Sequence, residues 1–83
     1  MIDRSRLEQR IREFLHDELR GDADQLALDA PLITSGLLDS AGLVRLAALI
    51  ERETDRIIPD RDLTPEHFDS IAKILAYIEA AAR

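Results

Sequence analysis

The chain has 83 residues, 46% of them hydrophobic and 34% charged, which suits one small core and is too balanced for a disordered segment. Eleven Lys and Arg against seventeen Asp and Glu give a net charge of −6, the wrong sign for a phosphate-backbone binder, so nucleic acid is not an expected partner. Cysteine is absent, which excludes disulfides, thiol nucleophiles and Cys-based zinc sites.

Met1 to Arg12 contain four Arg, one Asp and one Glu, so no apolar stretch is available there for a secretory signal. The longest apolar runs, Leu46–Ile50 and Ile74–Ile78, have five residues each, far below the roughly 18 to 20 that span a bilayer. The expectation is a cytoplasmic, monomeric protein without membrane insertion, with residues 1–83 as one domain.

Leu7, Ile11, Phe14, Leu15 and Leu19 recur at intervals of three and four, the stripe of an amphipathic first helix. Asp3 or Ser5 can cap its start, and Gly21 suits its end. His16 falls among arginines on the polar side and is read as a solvated surface residue.

Residues 21–38 show no sustained period, yet they hold Leu26, Leu28, Leu32, Ile33, Leu37 and Leu38. A connection this long in a small domain is either functional or disordered, and the apolar anchors favour an ordered loop pinned to the core. Asp22, Asp24, Asp29 and Asp39 occur between 21 and 40 without any Lys or Arg, giving an acidic face.

From Ser40 to about Glu53, Leu43, Leu46, Ala47 and Ile50 share a second helical face with Val44 at its edge. Gly42 is read as a weak point there, costing about 1 kcal/mol relative to Ala. Ile57-Ile58-Pro59 reads as a brief extended link. Thr64-Pro65-Glu66 predicts a single helical turn that buries Phe68, with His67 exposed. Asp69 or Ser70 then caps a last helix running to Arg83, with Ile71, Ile74, Leu75 and Ile78 on one face. Tyr77 lies beside that face and is expected to keep its hydroxyl in water. The fold class is therefore all-α: a four-helix bundle of three main helices and one short one, with a long first loop.

There is no G-x-S-x-G elbow, H-E-x-x-H run, Gly-rich phosphate loop or EF-hand pattern, so no catalytic residues and no metal site are assigned. What stands out is Gly36-Leu37-Leu38-Asp39-Ser40, where the long loop feeds a helix. Asp39 is a natural N-cap, and Ser40 as first helical residue would project its hydroxyl from a corner beside unpaired N–H groups. A helix N-terminus stabilises an exposed anion by about 0.3 to 1 kcal/mol, so Ser40 is well placed to carry a phosphodiester. The same two residues could equally serve only as a helix cap.

The ordered set of Leu32 and Gly36, then Leu38-Asp39-Ser40, Leu43-Val44 and Leu46, Ile57-Ile58-Pro59-Asp60, and Phe68 followed by Ser70-Ile71 resembles the acyl carrier and peptidyl carrier protein family over nearly the whole chain. The resemblance implies an acyl-carrier-like bundle in which a phosphopantetheinyl transferase attaches the 4′-phosphopantetheine arm of coenzyme A to Ser40. That arm would hold an acyl or aminoacyl group as a thioester, the chain itself would not be an enzyme, and the working thiol would arrive with the cofactor. Implied partners are the transferase, an adenylate-forming acyl or aminoacyl ligase, and downstream condensing or transferring enzymes. Leu38, Ala41, Val44 and Arg45 would form the docking lip.

Two departures point to a subtype. Carriers usually have Leu or Met after the serine, where Ala41 stands here. Fatty-acid-type carriers tend to be acidic along the second helix, whereas Gly42, Arg45 and Arg52 lie here, with Glu51 and Glu53 remaining. The Gly-Leu-Leu-Asp-Ser form looks closer to D-alanyl and other stand-alone aminoacyl carriers, with a role in specialised or secondary metabolism. The arginines could instead merely pair with neighbouring acids on a solvated helix. The alternative function is a small helical protein-interaction module in which Ser40 is only a cap.

Overall fold

A computed structural model describes residues 3–19 and 26–81. It is all-helical among the described residues: α1 (Arg4–Glu18), α2 (Ser40–Thr54), the single turn α3 (Pro65–Phe68) and α4 (Ile71–Ala81), with a 3-10 turn at Asp60–Asp62. The glycine expected to end α1, Gly21, the acids Asp22 and Asp24, and the expected terminus of the last helix at Arg83 lie outside the described residues.

Between the two candidate caps of α1 the structure selects Asp3, whose Oδ1 accepts the Arg6 N–H at 3.2 Å. The predicted stripe is the buried one: Leu7, Ile11 and Leu15 are in the core, with Phe14 and Leu19 partly buried against it. α1 packs on both α2 and α4, and α3 packs on α4. Leu46, Ala47 and Ile50 of α2 face α1's stripe, while Ile71, Ile74, Leu75 and Ile78 of α4 close the same core around Phe68, which is fully buried. Burying a side chain of that size contributes about 1.5 to 3 kcal/mol.

α2 ends at Asp55, whose left-handed backbone (φ 55°) stops the helix while its N–H donates to the Glu51 carbonyl. In the link that follows, the two isoleucines part. Ile58 is buried and donates its N–H to Glu51 Oε2 at 2.7 Å, whereas Ile57 is 89% exposed. The 3-10 turn after Pro59 has no periodic signature in the sequence, because one turn of i to i+3 bonding is too short to show one.

The long first connection is ordered by residues beyond it. Leu32 is fully buried and donates its N–H to the Asp69 carbonyl at 2.6 Å, and Ala72 donates to the Leu28 carbonyl at 2.8 Å. The Asp69 carboxylate accepts the Ile33 N–H at 2.7 Å, the Thr34 N–H at 2.9 Å and the Thr34 hydroxyl at 2.8 Å. At the other end, Arg12 of α1 donates to the Leu26 carbonyl at 2.8 Å. Of the six apolar residues expected as anchors, Leu32 and Leu38 are buried, Leu26 and Ile33 are partly so, and Leu28 and Leu37 stay about 40% exposed. Ser70, not Asp69, caps α4: its Oγ accepts the Lys73 N–H at 3.1 Å. Asp69 is thereby free to hold the loop.

Two aromatic expectations are corrected. Tyr77 does not leave its hydroxyl to water but donates it to Asp62 Oδ2 at 2.5 Å, because the 3-10 turn brings that carboxylate over α4. His67 is half-buried instead of exposed, its ring 4.8 Å from that of Tyr77, which also lies 5.4 Å from Phe68.

Asp69 is held below the ordinary carboxylate range, chiefly by the Thr34 N–H, against an opposing desolvation and with help from the Thr34 hydroxyl and the Ile33 and Leu32 N–H groups. A depressed native pKa contributes stability that is present above the unfolded value and is lost as pH falls through the native one. Asp69→Asn is therefore expected to cost about 1 to 2 kcal/mol at pH 7, with wild type and variant converging as pH is lowered through the acid range, measured by urea denaturation. Tyr77 is pushed up to about 12 by burial first and by the bond to Asp62 second. A raised native pKa stabilises below the unfolded value near 10 and ceases to do so as pH rises through the native one. Ultraviolet titration of the phenol should place its midpoint near 12, falling toward the ordinary value in Asp62→Asn.

Candidate functional site at the first turn of α2

The bend that opens α2 is built from below. Gly36 takes a left-handed turn (φ 83°) that a side chain would strain, and Leu38 then dives into the core and donates its N–H to the Leu32 carbonyl at 2.8 Å. Asp39, extended at φ −88° and ψ −179°, caps the helix with Oδ1 on the Gly42 N–H at 2.7 Å. Its carbonyl accepts the Leu43 N–H at 2.9 Å. Gly42 is more than a weak point in the helix. A Cβ there would stand 2.6 Å from Leu38 Cδ1 and 3.2 Å from the capping Asp39 Oδ1, so the missing side chain lets Leu38 tuck beneath the turn.

Ser40 is the first residue of this 15-residue helix and is exposed. Among the described residues its hydroxyl has no hydrogen-bond partner, so it contributes nothing to holding the turn. The N–H groups of a first helical turn lack intrahelical acceptors and carry roughly half a positive charge between them. A phosphate ester on the Ser40 oxygen would sit at that end of the dipole. No group of three or more His, Asp or Glu able to hold a metal occurs among the described residues.

The docking lip read from the sequence is partly redrawn. Ala41, Val44 and Arg45 are exposed, Val44 by 59%. Leu38 is 3% exposed and belongs to the core, whereas its neighbour Leu37 is 40% exposed. An aperiodic loop carries no signal to tell which of two adjacent leucines turns inward.

Arg45 is tied to α1, its Nε donating to Glu18 Oε1 at 3.2 Å and its Nη2 to Glu18 Oε2. That bond and the Glu18 charge raise the Arg45 pKa, with Asp39 adding to the effect and desolvation opposing it. The alternative in which the α2 arginines merely pair with neighbouring acids describes Arg45, whose acid Glu18 lies across on α1, and not Arg52, which makes no ion pair among the described residues. Glu51 serves the Ile58 N–H, and Glu53 turns toward Arg6 and Arg10 of α1 at 3.9 and 3.7 Å.

The family described as "Phosphopantetheine attachment site" matches residues 9–78. An acyl carrier protein of Akkermansia muciniphila is 33% identical over 79 residues, which cover 95% of each chain. The chain belongs to the acyl carrier protein family. The resemblance seen in the ordered sequence motifs is thus borne out. The carrier is not itself an enzyme; it bears a covalently attached 4′-phosphopantetheine and works with a phosphopantetheinyl transferase and biosynthetic enzymes. No helix among its described residues is long and apolar enough to cross a membrane.

The geometry of the first turn fits such a group, because it offers an exposed, unengaged hydroxyl at a long helix's N-terminus. Asp39 holds that turn through one side-chain bond, so Asp39→Ala in the carrier should cost about 1 kcal/mol while Asp39→Asn, another good cap, changes stability by only a few tenths. Chemical denaturation of the three proteins measures the difference.

Proposed function

We propose that the carrier receives its phosphopantetheine on Ser40 and that residues 1–83 work as one carrier domain. The observation that supports this most directly is the exposed Ser40 hydroxyl, without a hydrogen-bond partner among the described residues and set at the first position of α2. The prosthetic group supplies a thiol on a flexible arm, where an acyl or aminoacyl group is held as a thioester. Ser40 acts as a nucleophile only when it is modified, with the transferase providing base and metal. Asp39 contributes by fixing the turn that presents Ser40.

In this reading an adenylate-forming ligase loads the carrier, and condensing or transferring enzymes downstream unload it, in specialised metabolism within the cytoplasm. The carrier acts as a monomer. The small Ala41 beside Ser40 and the arginines on α2 support a partner set different from that of a general fatty acid synthase, and an aminoacyl or specialised acyl cargo. Rim charges of this kind set encounter rate and partner choice more than affinity.

Incubation with coenzyme A and a permissive phosphopantetheinyl transferase, followed by intact-mass spectrometry, tests the proposal. Wild type should gain one phosphopantetheinyl group and Ser40→Ala none, with the variant's unfolding midpoint unchanged. Wild type left unmodified by several transferases would favour an interaction module in which Ser40 only begins a helix, and modification that persists in Ser40→Ala would move the attachment to another residue; either result overturns the assignment.

A further inference from the structure

Residues 31–38 form a small unit bonded largely to itself. The Ser35 hydroxyl donates to the Pro31 carbonyl at 2.6 Å, Gly36 donates its N–H to the Ile33 carbonyl at 3.0 Å, and Leu38 closes the unit on the Leu32 carbonyl at 2.8 Å. Among the described residues, every hydrogen bond from this unit to another part of the chain ends on Asp69. The Leu32 N–H meets its carbonyl, and the Ile33 N–H, the Thr34 N–H and the Thr34 hydroxyl meet its carboxylate. Asp69 is itself a fixed post: its N–H donates to the Pro65 carbonyl at 3.1 Å, and its chain neighbours Phe68 and Ser70 are both buried.

The same unit ends at the turn that presents Ser40. Leu38 Cδ1 fills the space that a side chain on Gly42 would need, 2.6 Å from the position of the missing Cβ. The capping Asp39 Oδ1 stands 3.2 Å from that same position, so a shift of Leu38 takes away the floor of the first turn and disturbs its cap. The unit has two discrete arrangements, docked and undocked, because three of its four bonds to Asp69 share one carboxylate and are lost together.

We propose that Asp69 is a positioning residue for the modification of Ser40: its carboxylate docks residues 31–38, which seats Leu38 under the first turn of α2 and holds Ser40 in the geometry that a phosphopantetheinyl transferase accepts. The inference rests on the reading of Ser40 as the attachment point, and it adds a residue from the far side of the loop that never touches the reacting atoms. A transferase that accepts only the docked state meets a carrier diluted by the undocked one. Loss of the carboxylate therefore raises KM for the carrier and leaves kcat at saturation unchanged.

The test is steady-state transfer from coenzyme A by a permissive transferase over a range of carrier concentrations, read by intact-mass spectrometry, with amide hydrogen exchange followed by NMR on each unmodified full chain. Asp69→Ala should raise KM at least about fivefold with kcat within about twofold of wild type. It should also speed exchange at Leu38 and Gly42 at least about tenfold more than at Ile78 in α4. Asp69→Asn keeps an oxygen for both N–H groups and should bring KM back to within about twofold of wild type, although it lacks the charge and is the less stable protein. Asp3→Ala is the destabilised control: it removes a cap at the other end of the bundle, where Arg6 approaches Glu53 near the end of α2, and should leave KM unchanged. Thr34→Val takes only the hydroxyl from the carboxylate and answers the question should Asp69→Ala not fold; KM should rise about two- to threefold there and stay at the wild-type value in Thr34→Ser. An unchanged KM in Asp69→Ala and Thr34→Val, a loss confined to kcat, an equal rise in Asp3→Ala, or exchange at Leu38 and Gly42 sped no more than at Ile78 would overturn the proposal. A wild type modified on Ser40 with KM unmoved by these variants loses only the role of Asp69. A wild type that stays unmodified while the exchange difference is present loses the Ser40 assignment and keeps Asp69 as the residue that holds the turn.

Discussion

Much of this architecture depends on one carboxylate. Asp69 stands between α3 and α4, remote in sequence from the first loop, yet it accepts three hydrogen bonds from Ile33 and Thr34 while its own carbonyl takes a fourth from Leu32. A connection without secondary structure of its own has many backbone groups to satisfy and considerable conformational entropy to lose. Gathering several of those groups onto a single side chain lets Leu32 enter the core, and Leu32 in turn receives the N–H of Leu38. Each anchor fixes the next, and the last of them sits directly before the bend that opens α2.

The carboxylates of α2 and its surroundings divide the remaining labour. Asp39 closes the helix start, Glu51 orders the link after the helix end, Glu53 leans on α1, and Glu18 of α1 reaches back to Arg45. Acids that look like surface charge in the sequence are thereby used as internal fasteners. Ala41, Val44, Ala48 and Arg52 remain exposed along the outward face of the helix.

The long elements were legible in the sequence because periodicity reports them directly. The stripes of α1, α2 and α4, the turn that buries Phe68, and the Asp39-Ser40 start of α2 all appear where spacing and capping chemistry place them. What spacing does not encode is direction in the stretches between helices. Leu37 and Leu38 are identical neighbours, as are Ile57 and Ile58, and only tertiary packing decides which one of each pair turns inward. Asp69 and Ser70 were both plausible caps; the choice between them depended on a loop 35 residues away. Gly42 looked like a flaw in propensity because the side chain that requires its small size, Leu38, precedes the helix. Tyr77 and His67 acquired partners through a 3-10 turn too brief to leave a trace in hydrophobic pattern.

Among the described residues the hydroxyl at the head of α2 takes no part in the network that keeps the bundle together, which separates the requirement for folding from the requirement for work. On the proposed reading, a chain deprived of that single oxygen would become an intact decoy: shaped to engage the same enzymes, empty-handed, and able to compete with loaded copies for their attention.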